Sequence, residues 1–238
     1  DSPLRKQLLV DYYSSLTEMF LVSKNYLFHA YAWLKLYNLE EKAKDDANDA
    51  NDSELKKMAS CLTLAALAVP IFSRGDSVSS HANNTLNRNK EYARLLGYHF
   101  NPGRASLMEQ ISSMNLFEIC PPQIQTLFNI LENGSKPMSM VKDVVPLVKW
   151  LRSNDDFKKY ADGIDELLVV RLLEQLSKLY KSMTIDRFKS RIAGIGLKFY
   201  QVEKILTQAV RARHLSVRFD HQNKCIRFES DTMEATRM

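Results

Sequence analysis

Two short stretches of the sequence carry residue types that bind phosphate or calcium in other proteins. In the first, Gly194-Ile195-Gly196, the glycine spacing begins like that of a phosphate-binding loop. Phe199 stands where such a loop needs its third glycine, no strand pattern precedes it, and no lysine with serine or threonine follows it. The pattern therefore favours a simple turn over a nucleotide site.

The second stretch is the acidic segment at residues 45–52, which resembles a calcium-binding loop in composition. Ala50 takes the fifth ligand position, no glycine follows it, and Lys57 replaces the glutamate expected at the twelfth. Without these ligands the segment cannot form the usual cage of oxygens around the ion. We expect a solvated loop and no metal site.

The histidines and cysteines form no catalytic or metal-binding pattern. The five histidines lack an HxxxH spacing, and His29 sits among aromatic residues, which favours a packed position in a helix. Cys61, Cys120 and Cys225 form no CxxC pair and indicate a reducing compartment, the cytoplasm. No serine or cysteine lies in a nucleophile signature. We therefore predict no cofactor, no metal and no catalysis.

The chemistry that remains is positive charge near the C-terminus. Residues 178–227 contain twelve Lys and Arg against three Asp and Glu, a net charge of +9, whereas the rest of the chain carries −4. One interpretation is a solvated face, and the other is RNA binding through phosphates, which requires cations but no base-specific pattern. The candidate RNA-binding residues are Arg187, Lys189, Arg191, Lys198, Lys204, Arg211, Arg213, Arg218 and Arg227.

Helices must position these residues, because glycine and proline, at seven each, are too scarce for a turn-rich β fold. Apolar residues at helical spacing predict helices at 4–22, 26–43, 53–69, 85–96, 104–114, 122–132 and 138–151. Polar loops are predicted at 45–52 and 73–84. The short connections elsewhere are typical of antiparallel helix pairs.

The pattern changes in the C-terminal part of the chain. A long helix from about residue 164 is followed by a short one capped by Thr184 and by an amphipathic helix at 202–210. The period then becomes two, and the loop at 220–223 joins two predicted strands into a hairpin. Three helices followed by such a hairpin form a winged helix.

The sequence therefore predicts a mainly α protein. An antiparallel helical-repeat (TPR-like) array at residues 1–163 is fused to a C-terminal winged helix with a small β-hairpin at 164–230, and a tail follows at 231–238. No apolar run approaches the roughly 20 residues that span a bilayer, so we predict no membrane contact. Because the chain starts at Asp1 and the helical pattern starts at Leu4, we expect a piece of a longer protein.

The hairpin offers a second surface for a partner. An unpaired strand edge can bind a strand of another protein. The predicted partner-binding residues of this wing edge are Leu215, Val217, Phe219, Ile226 and Phe228. The alternative is that these side chains only complete the winged-helix core.

Five stretches of the chain resemble segments of a known family. They are LFHA at 27–30, the apolar run ending in Pro-Ile at 65–71, RLLG at 94–97, VVRLLEQLSKLYKSM at 169–183 and LSVRFDHQNKCIRFESD at 215–231. A helical array that continues without a linker into a winged helix resembles the PCI domain. These stretches are most similar to the largest subunits of eukaryotic translation initiation factor three. The likeness covers nearly the whole chain, and only the loops at 45–52 and 73–84 match poorly.

The resemblance implies a non-catalytic scaffold subunit of the translation initiation factor three complex. Members of that family pair through their winged helices, here with the c subunit, and contact other subunits of the complex. The assembly binds the small ribosomal subunit near the mRNA exit, so contact with mRNA is implied as well. Two alternatives stay open: a PCI scaffold subunit of the proteasome lid or COP9 signalosome type, and a winged-helix nucleic-acid-binding module.

Overall fold

The computed structural model of the chain describes residues 3–44, 52–72, 81–100, 102–134 and 137–228. Its first part is a helical array, as the apolar pattern predicts. The helices are α1 (Pro3–Val22), α2 (Tyr26–Lys44), α3 (Asp52–Ala68), α4 (His81–Leu95), α5 (Arg104–Ser113), α6 (Leu116–Ile119), α7 (Pro122–Glu132) and α8 (Met140–Ser153). None of the helices in these ranges is long and apolar enough to cross a membrane.

The second part is a winged helix. A 3-10 turn (Lys158–Tyr160) leads into α9 (Ala161–Leu179), β1 (Ser182–Thr184), α10 (Ile185–Ile192), α11 (Phe199–Arg211), β2 (Val217–Asp220) and β3 (Cys225–Phe228). The three strands form an antiparallel sheet in the order β1-β3-β2. The predicted fold class, a helical array joined to a winged helix, is confirmed.

Helix α3 lies at the centre of the array. Every residue from 59 to 69 is buried, including the hydroxyl residues Ser60 and Thr63, so α3 has no solvent-facing side after its first two turns. Ser60 satisfies its hydroxyl by donating to the carbonyl of Lys56, and Thr63 lies 3.5 Å from the sulfur of Cys120. A helix that is apolar all round is stable only inside a larger core, so the other helices must surround it.

A glycine allows α9 to approach α3 closely. A Cβ atom on Gly163 would lie 2.7 Å from the Cβ of Ala68 and 3.2 Å from its Cα and carbonyl oxygen. Real Cβ atoms essentially never lie within 3.0 Å of another such atom, and neither partner at this crossing has a side chain that could move away. The small residues at positions 68 and 163 therefore fix the distance between the two helices.

His29 connects α1, α2 and the 3-10 turn before α9. Its Nδ1–H donates to the carbonyl of Thr17 (2.7 Å), and its Nε2 accepts from the Tyr160 hydroxyl (2.9 Å) and the Trp33 indole N–H (3.1 Å). Because Nε2 accepts two hydrogen bonds, the imidazole is neutral. Burial lowers the pKa of His29 to about 4. The expected packed position of this histidine is confirmed.

A chain of charged groups joins the array to the winged helix. Glu132 on α7 accepts from Arg104 and from Arg171, whose other nitrogen lies 3.0 Å from Glu174 on α9. Glu174 in turn bonds His214, which follows α11. The carboxylates are shared between neighbouring cations, so each charge in this half-buried row has an opposite neighbour.

The structure differs from the prediction at several helix boundaries. The predicted loop at 73–84 is wrong from His81 onward, because α4 begins there; residues 73–80 and the acidic loop at 45–51 lie outside the described residues. Polar residues differ from one another by only a few tenths of a kcal/mol in helix propensity, and residues 81–84 contain no glycine or proline that would prevent a helix there. The sequence also misses α6, and α9 starts at Ala161 instead of residue 164.

Two predictions for the winged helix are also wrong in detail. Apolar residues at 168, 172, 176, 179 and 180 predict one buried stripe of α9, but Leu179, at its last position, is 59% exposed. The sheet has a third strand, β1, whose residues Ser182, Met183 and Thr184 pair with β3. A strand of three residues is too short to show an alternating pattern.

Acidification should destabilise the fold through His29. The folded-state pKa of about 4 lies below the ordinary value of 6.5, so the unfolded chain takes up the proton first. Stability from this residue is complete above pH 6.5 and is lost as the pH falls toward 4. We expect a loss of about 2 kcal/mol between pH 7 and pH 5, measured by urea unfolding at each pH.

The matched variants are His29→Gln and, as a control at an exposed position, His99→Gln. His29→Gln should lower stability at pH 7 and remove most of the wild-type pH dependence. His99→Gln should keep that dependence. An unchanged pH dependence in His29→Gln would show that the imidazole is not the titrating group.

Adding one methyl group at the α3–α9 crossing should also destabilise the fold. We expect Gly163→Ala to lower the free energy of unfolding by about 2 kcal/mol, because the new Cβ meets the backbone of Ala68. Gly103→Ala is the control, since a Cβ there meets nothing within 4 Å. Thermal unfolding of both variants measures the difference, and equal melting temperatures would contradict the close contact.

Candidate functional site

The turn between α10 and α11 is held by α8 and α9. Gly194 has a φ of +99°, which favours glycine, whereas Gly196 is required for space. A Cβ on Gly196 would lie 2.5 Å from the Arg152 guanidinium and 2.7 Å from the Asp165 carboxylate. The predicted turn is confirmed: Gly194 supplies its backbone conformation, and Gly196 leaves room for the Arg152 and Asp165 side chains.

Asp165 is the buried anchor of this turn. Its side chain is 2% exposed, accepts from Arg152 (2.7 Å) and also accepts from the backbone N–H of Gly196. Burial raises the pKa of this carboxyl, and Arg152 opposes the rise by favouring the charged form. The ion pair therefore ties the winged-helix turn to the end of α8.

The short helix α10 starts where the sequence predicts. The hydroxyl of Thr184 accepts from the N–H of Arg187 (3.4 Å), which caps the helix. Ile185, Phe188 and Ile192 are buried at helical spacing. The cations of α10, which are Arg187, Lys189 and Arg191, lie on the two sides of the helix that are not buried.

The candidate RNA-binding residues do not form one cluster. They lie on separate surfaces. Arg187 and Arg191 line a groove between α10 and α8, and Lys189 lies on the side of α10 that faces α11. On or beside α11 lie Lys198, Lys204, Arg211 and Arg213, and the outer face of the sheet carries Arg218 and Arg227. All of them are exposed except Arg191, which is half-buried in the groove.

Three of these cations have partners within the chain. The guanidinium of Arg187 lies 5.8 Å from the ring centre of Tyr180, and the Lys189 amine lies 4.6 Å from that of Phe199. Arg227 donates to Asp220 (2.9 Å). Arg218 stands directly opposite Arg227 across the two strands, so two like charges meet on the outer face of the sheet.

The wing-edge prediction needs a correction in its residues. Ile226 and Phe228 belong to β3, which is the central strand and has no free edge, because β1 pairs with its other side. Leu215, Val217, Ile226 and Phe228 are all buried in the winged-helix core, as the alternative interpretation proposes. Phe219 alone among the five is half-buried, and its ring contacts those of Phe199 (6.1 Å) and His221 (5.7 Å).

Strand β2 is one edge of the sheet. The backbone hydrogen bonds between β3 and β1 show which N–H and C=O groups of β2 point away from the sheet. The N–H of Phe228 donates to the carbonyl of Lys181 (2.9 Å), and the N–H of Ile185 donates to that of Lys224 (2.8 Å). Even-numbered residues of β3 thus bond toward β1. Since successive residues direct their backbone groups to opposite sides, the odd-numbered ones bond toward β2.

On β2 the residues opposite those groups are Arg218 and Asp220. The N–H and C=O groups of Val217 and Phe219 therefore point away from β3. In the described part of the chain, no other strand pairs with this side of β2. The free edge of β2, defined by the backbone of Val217 and Phe219, can accept one more antiparallel or parallel strand.

The sequence prediction missed an aromatic residue on the accessible face of α11. Tyr200 is 62% exposed and shares a face with Lys204, Thr207 and Arg211, at spacings of four, three and four residues. We define these four residues as the outer face of α11. The helical spacing of its polar residues could have revealed this face, whereas the apolar period marks only the buried stripe.

The buried thiols and two of the histidines have structural contacts in the fold. Burial raises the pKa of the Cys61 and Cys120 thiols, which keeps them protonated and unreactive. His214 bonds Glu174, and His221 stacks on Phe219. Within the described ranges, no three His, Cys, Asp or Glu side chains come close enough to hold a metal ion.

The sequence of this chain matches two protein-family models and is similar to several known proteins. A family model described as eIF3a, PCI domain, TPR-like region matches residues 1–139, and the PCI domain model matches residues 148–230. The A-type subunit of eukaryotic translation initiation factor 3 from Coccidioides immitis is 30% identical over 247 residues, which cover 97% of this chain. Its counterpart in Aspergillus terreus is 29% identical, and that in Neurospora crassa 28%, each over 252 residues and 99% of the chain. The chain spans about a quarter of the length of these relatives, since the aligned part covers 24% of each.

Proposed function

Because this chain belongs to the eIF3a family of PCI-domain proteins, we propose that it is a non-catalytic scaffold of a translation initiation factor 3 complex. In this role it acts in the cytoplasm, pairs with the c subunit through its winged helix, and helps the complex to bind other subunits and the small ribosomal subunit. The division into an array at 1–163, a winged helix at 164–230 and a tail belongs to the same proposal.

The observation that carries this proposal is the free edge of β2. The backbone groups of Val217 and Phe219 point away from the sheet, and the strand lies on a rigid module whose core is complete without a partner. Adding a strand to such an edge satisfies backbone donors and acceptors without rearranging the protein. A second winged helix with a similar edge supplies a strand of this kind.

The side chains next to the edge support a specific partner. Phe219 is half-buried between Phe199 and His221, so a row of three rings runs beside the strand. Arg218 is exposed on the opposite face of the sheet. A partner strand would therefore meet an apolar row on one face and positive charge on the other, which fixes its register.

Removing one backbone donor from the edge should weaken binding of the c subunit. Phe219→Pro deletes the outward N–H but keeps the bonds between β2 and β3, because proline is tolerated where the N–H faces solvent. We expect affinity for the purified PCI region of the c subunit to fall about five- to tenfold, the effect of one lost hydrogen bond. Calorimetric titration measures this affinity.

Phe219→Leu is the matched control, since it loses the same ring but retains the N–H. It should bind the c subunit more tightly than Phe219→Pro, and circular dichroism should show that both variants keep their helices. Wild-type affinity in Phe219→Pro, with the fold intact, would exclude pairing at this edge.

RNA binding is a second candidate function, favoured by the outer face of α11. Tyr200 can stack on a base, and Lys204 and Arg211 lie about one and three turns farther along the same face. Neither cation forms an ion pair with a carboxylate in the described residues, so both are available to phosphates. Stacking combined with phosphate contact binds single strands without reading their sequence.

Charge removal on this face should lower the salt dependence of RNA binding. For a single-stranded oligonucleotide, Lys204→Gln with Arg211→Gln should reduce the slope of log affinity against log salt by about 1.4, since each phosphate contact contributes about 0.7. Fluorescence anisotropy at several salt concentrations measures the slope. Tyr200→Ala should weaken binding by about 1–3 kcal/mol through lost stacking, with the slope unchanged.

The control variant removes two exposed lysines of the array, Lys90→Gln with Lys149→Gln. It changes the net charge by the same amount but should leave the slope at the wild-type value. Equal slopes in the two double variants would mean that binding follows net charge alone. Salt-independent binding, or none, would exclude this candidate function.

A further inference from the structure

A groove separates the start of α8 from α10. Its volume is about 720 Å³, within the range of roughly 300–1,000 Å³ in which ligand sites fall. The α8 side is apolar, formed by Met138, Val141, Val145 and Pro146. Met138 is 53% exposed and extends the apolar surface of the groove to the solvent.

The other side of the groove is basic. Arg187 and Arg191 are four residues apart on α10, so they project from the same face of that helix, and Lys142 of α8 lies among the lining residues. None of the three forms an ion pair with a carboxylate in the described part of the chain. Asp143 follows Lys142 in the sequence and Asp186 precedes Arg187, but neither aspartate lines the groove.

Three cations that form no ion pair with a carboxylate of the described residues raise the positive potential of the groove. Such a cluster persists on a folded protein at a cost in stability, which a bound anion removes. The guanidinium of Arg187 is held over the Tyr180 ring, so one of the cations is positioned before any ligand arrives.

A proline interrupts the hydrogen bonds of α8 beside the groove. Pro146 lies inside α8 and has no N–H, so it cannot donate to the carbonyl of Lys142 as a helical residue in its place would. Both residues line the groove. The carbonyl of Lys142 therefore lacks its usual helical donor.

We propose that this groove binds an acidic amphipathic segment of a partner protein. Apolar side chains of the segment cover Met138, Val141 and Val145, and its carboxylates pair with Lys142, Arg187 and Arg191. Arginine is suited to this task because its planar fork binds a carboxylate through two hydrogen bonds. The proposal is independent of strand pairing at β2.

The lining favours a peptide over RNA. The described lining residues include no aromatic ring on which a base could stack. Half of the groove is an aliphatic surface, which a ribose–phosphate chain would leave in contact with water, whereas an amphipathic peptide would bury it. Charge and shape together therefore select a ligand with one acidic and one apolar side.

A direct test uses a fluorescein-labelled peptide of about four helical turns, with leucines along one face and glutamates along the other. Anisotropy measures its binding to the whole 238-residue chain. We expect Arg187→Glu with Arg191→Glu to weaken binding by more than about tenfold, because two charge-assisted contacts become repulsive. Met138→Glu should weaken it as well, through lost apolar contact.

The matched control reverses two other cations of the winged helix, Lys178→Glu with Lys224→Glu. These side chains are exposed and do not line the groove, so the control changes the net charge equally and should keep the wild-type affinity. Thermal unfolding of each variant confirms that the fold is intact.

Three results would overturn the proposal. One is equal loss of binding in the control, which would indicate general attraction to a positive protein. Another is equal affinity for a peptide with serine in place of each leucine, since the apolar side would then have no role. The third is failure of the peptide to occupy the groove. Either no peptide binding is measured, or a single-stranded RNA binds more tightly than the peptide and loses its binding in the groove variants but not in the control.

Discussion

Burial of α9 on nearly all sides is the constraint on which the rest of the structure depends. The helix packs on α3 and α8 of the array and on α11 of the winged helix, and most of its residues are buried. Its close approach to α3 requires Gly163 opposite Ala68. Because one helix belongs to both cores, the winged helix has a fixed orientation relative to the array.

Two polar systems secure this shared helix at its ends. At the N-terminal end, Asp165 binds Arg152 of α8 and the turn at Gly196. Toward the C-terminal end, Arg171 and Glu174 continue the charged row from α7 to His214. Partly buried ion pairs contribute little net stability, but a wrong arrangement would leave a charge unpaired. These contacts therefore specify geometry more than they add stability.

The repeating apolar patterns of the sequence predict most of this fold. The amphipathic stretch at 202–210 and the alternation around Val217 and Ile226 have strong local periods, and the structure confirms both elements. Strand β1 could not be predicted in this way, since its three residues are set by pairing with β3 across more than forty residues of chain. The start of α4 at His81 likewise has no apolar period to mark it.

The candidate surfaces were harder to predict, and for a physical reason. Composition reveals the excess of Lys and Arg, but their distribution over α10, α11 and the sheet depends on how the helices cross. Arg187 and Lys189 are two residues apart and turn to opposite sides of one helix. Similarly, the alternation of Val217 and Phe228 identifies strands but cannot say which of them is central.

The free edge of β2 has a consequence for how firmly it can hold a partner. It offers only four outward backbone groups, each worth about 1 kcal/mol net in a hydrogen bond, whereas association costs about 4–15 kcal/mol in lost freedom. Such a joint opens and recloses readily on its own. It becomes lasting when a second contact tethers the same two molecules, because the local concentration of the partner strand is then high. A scaffold built from joints of this kind can exchange one neighbour while the others keep it assembled.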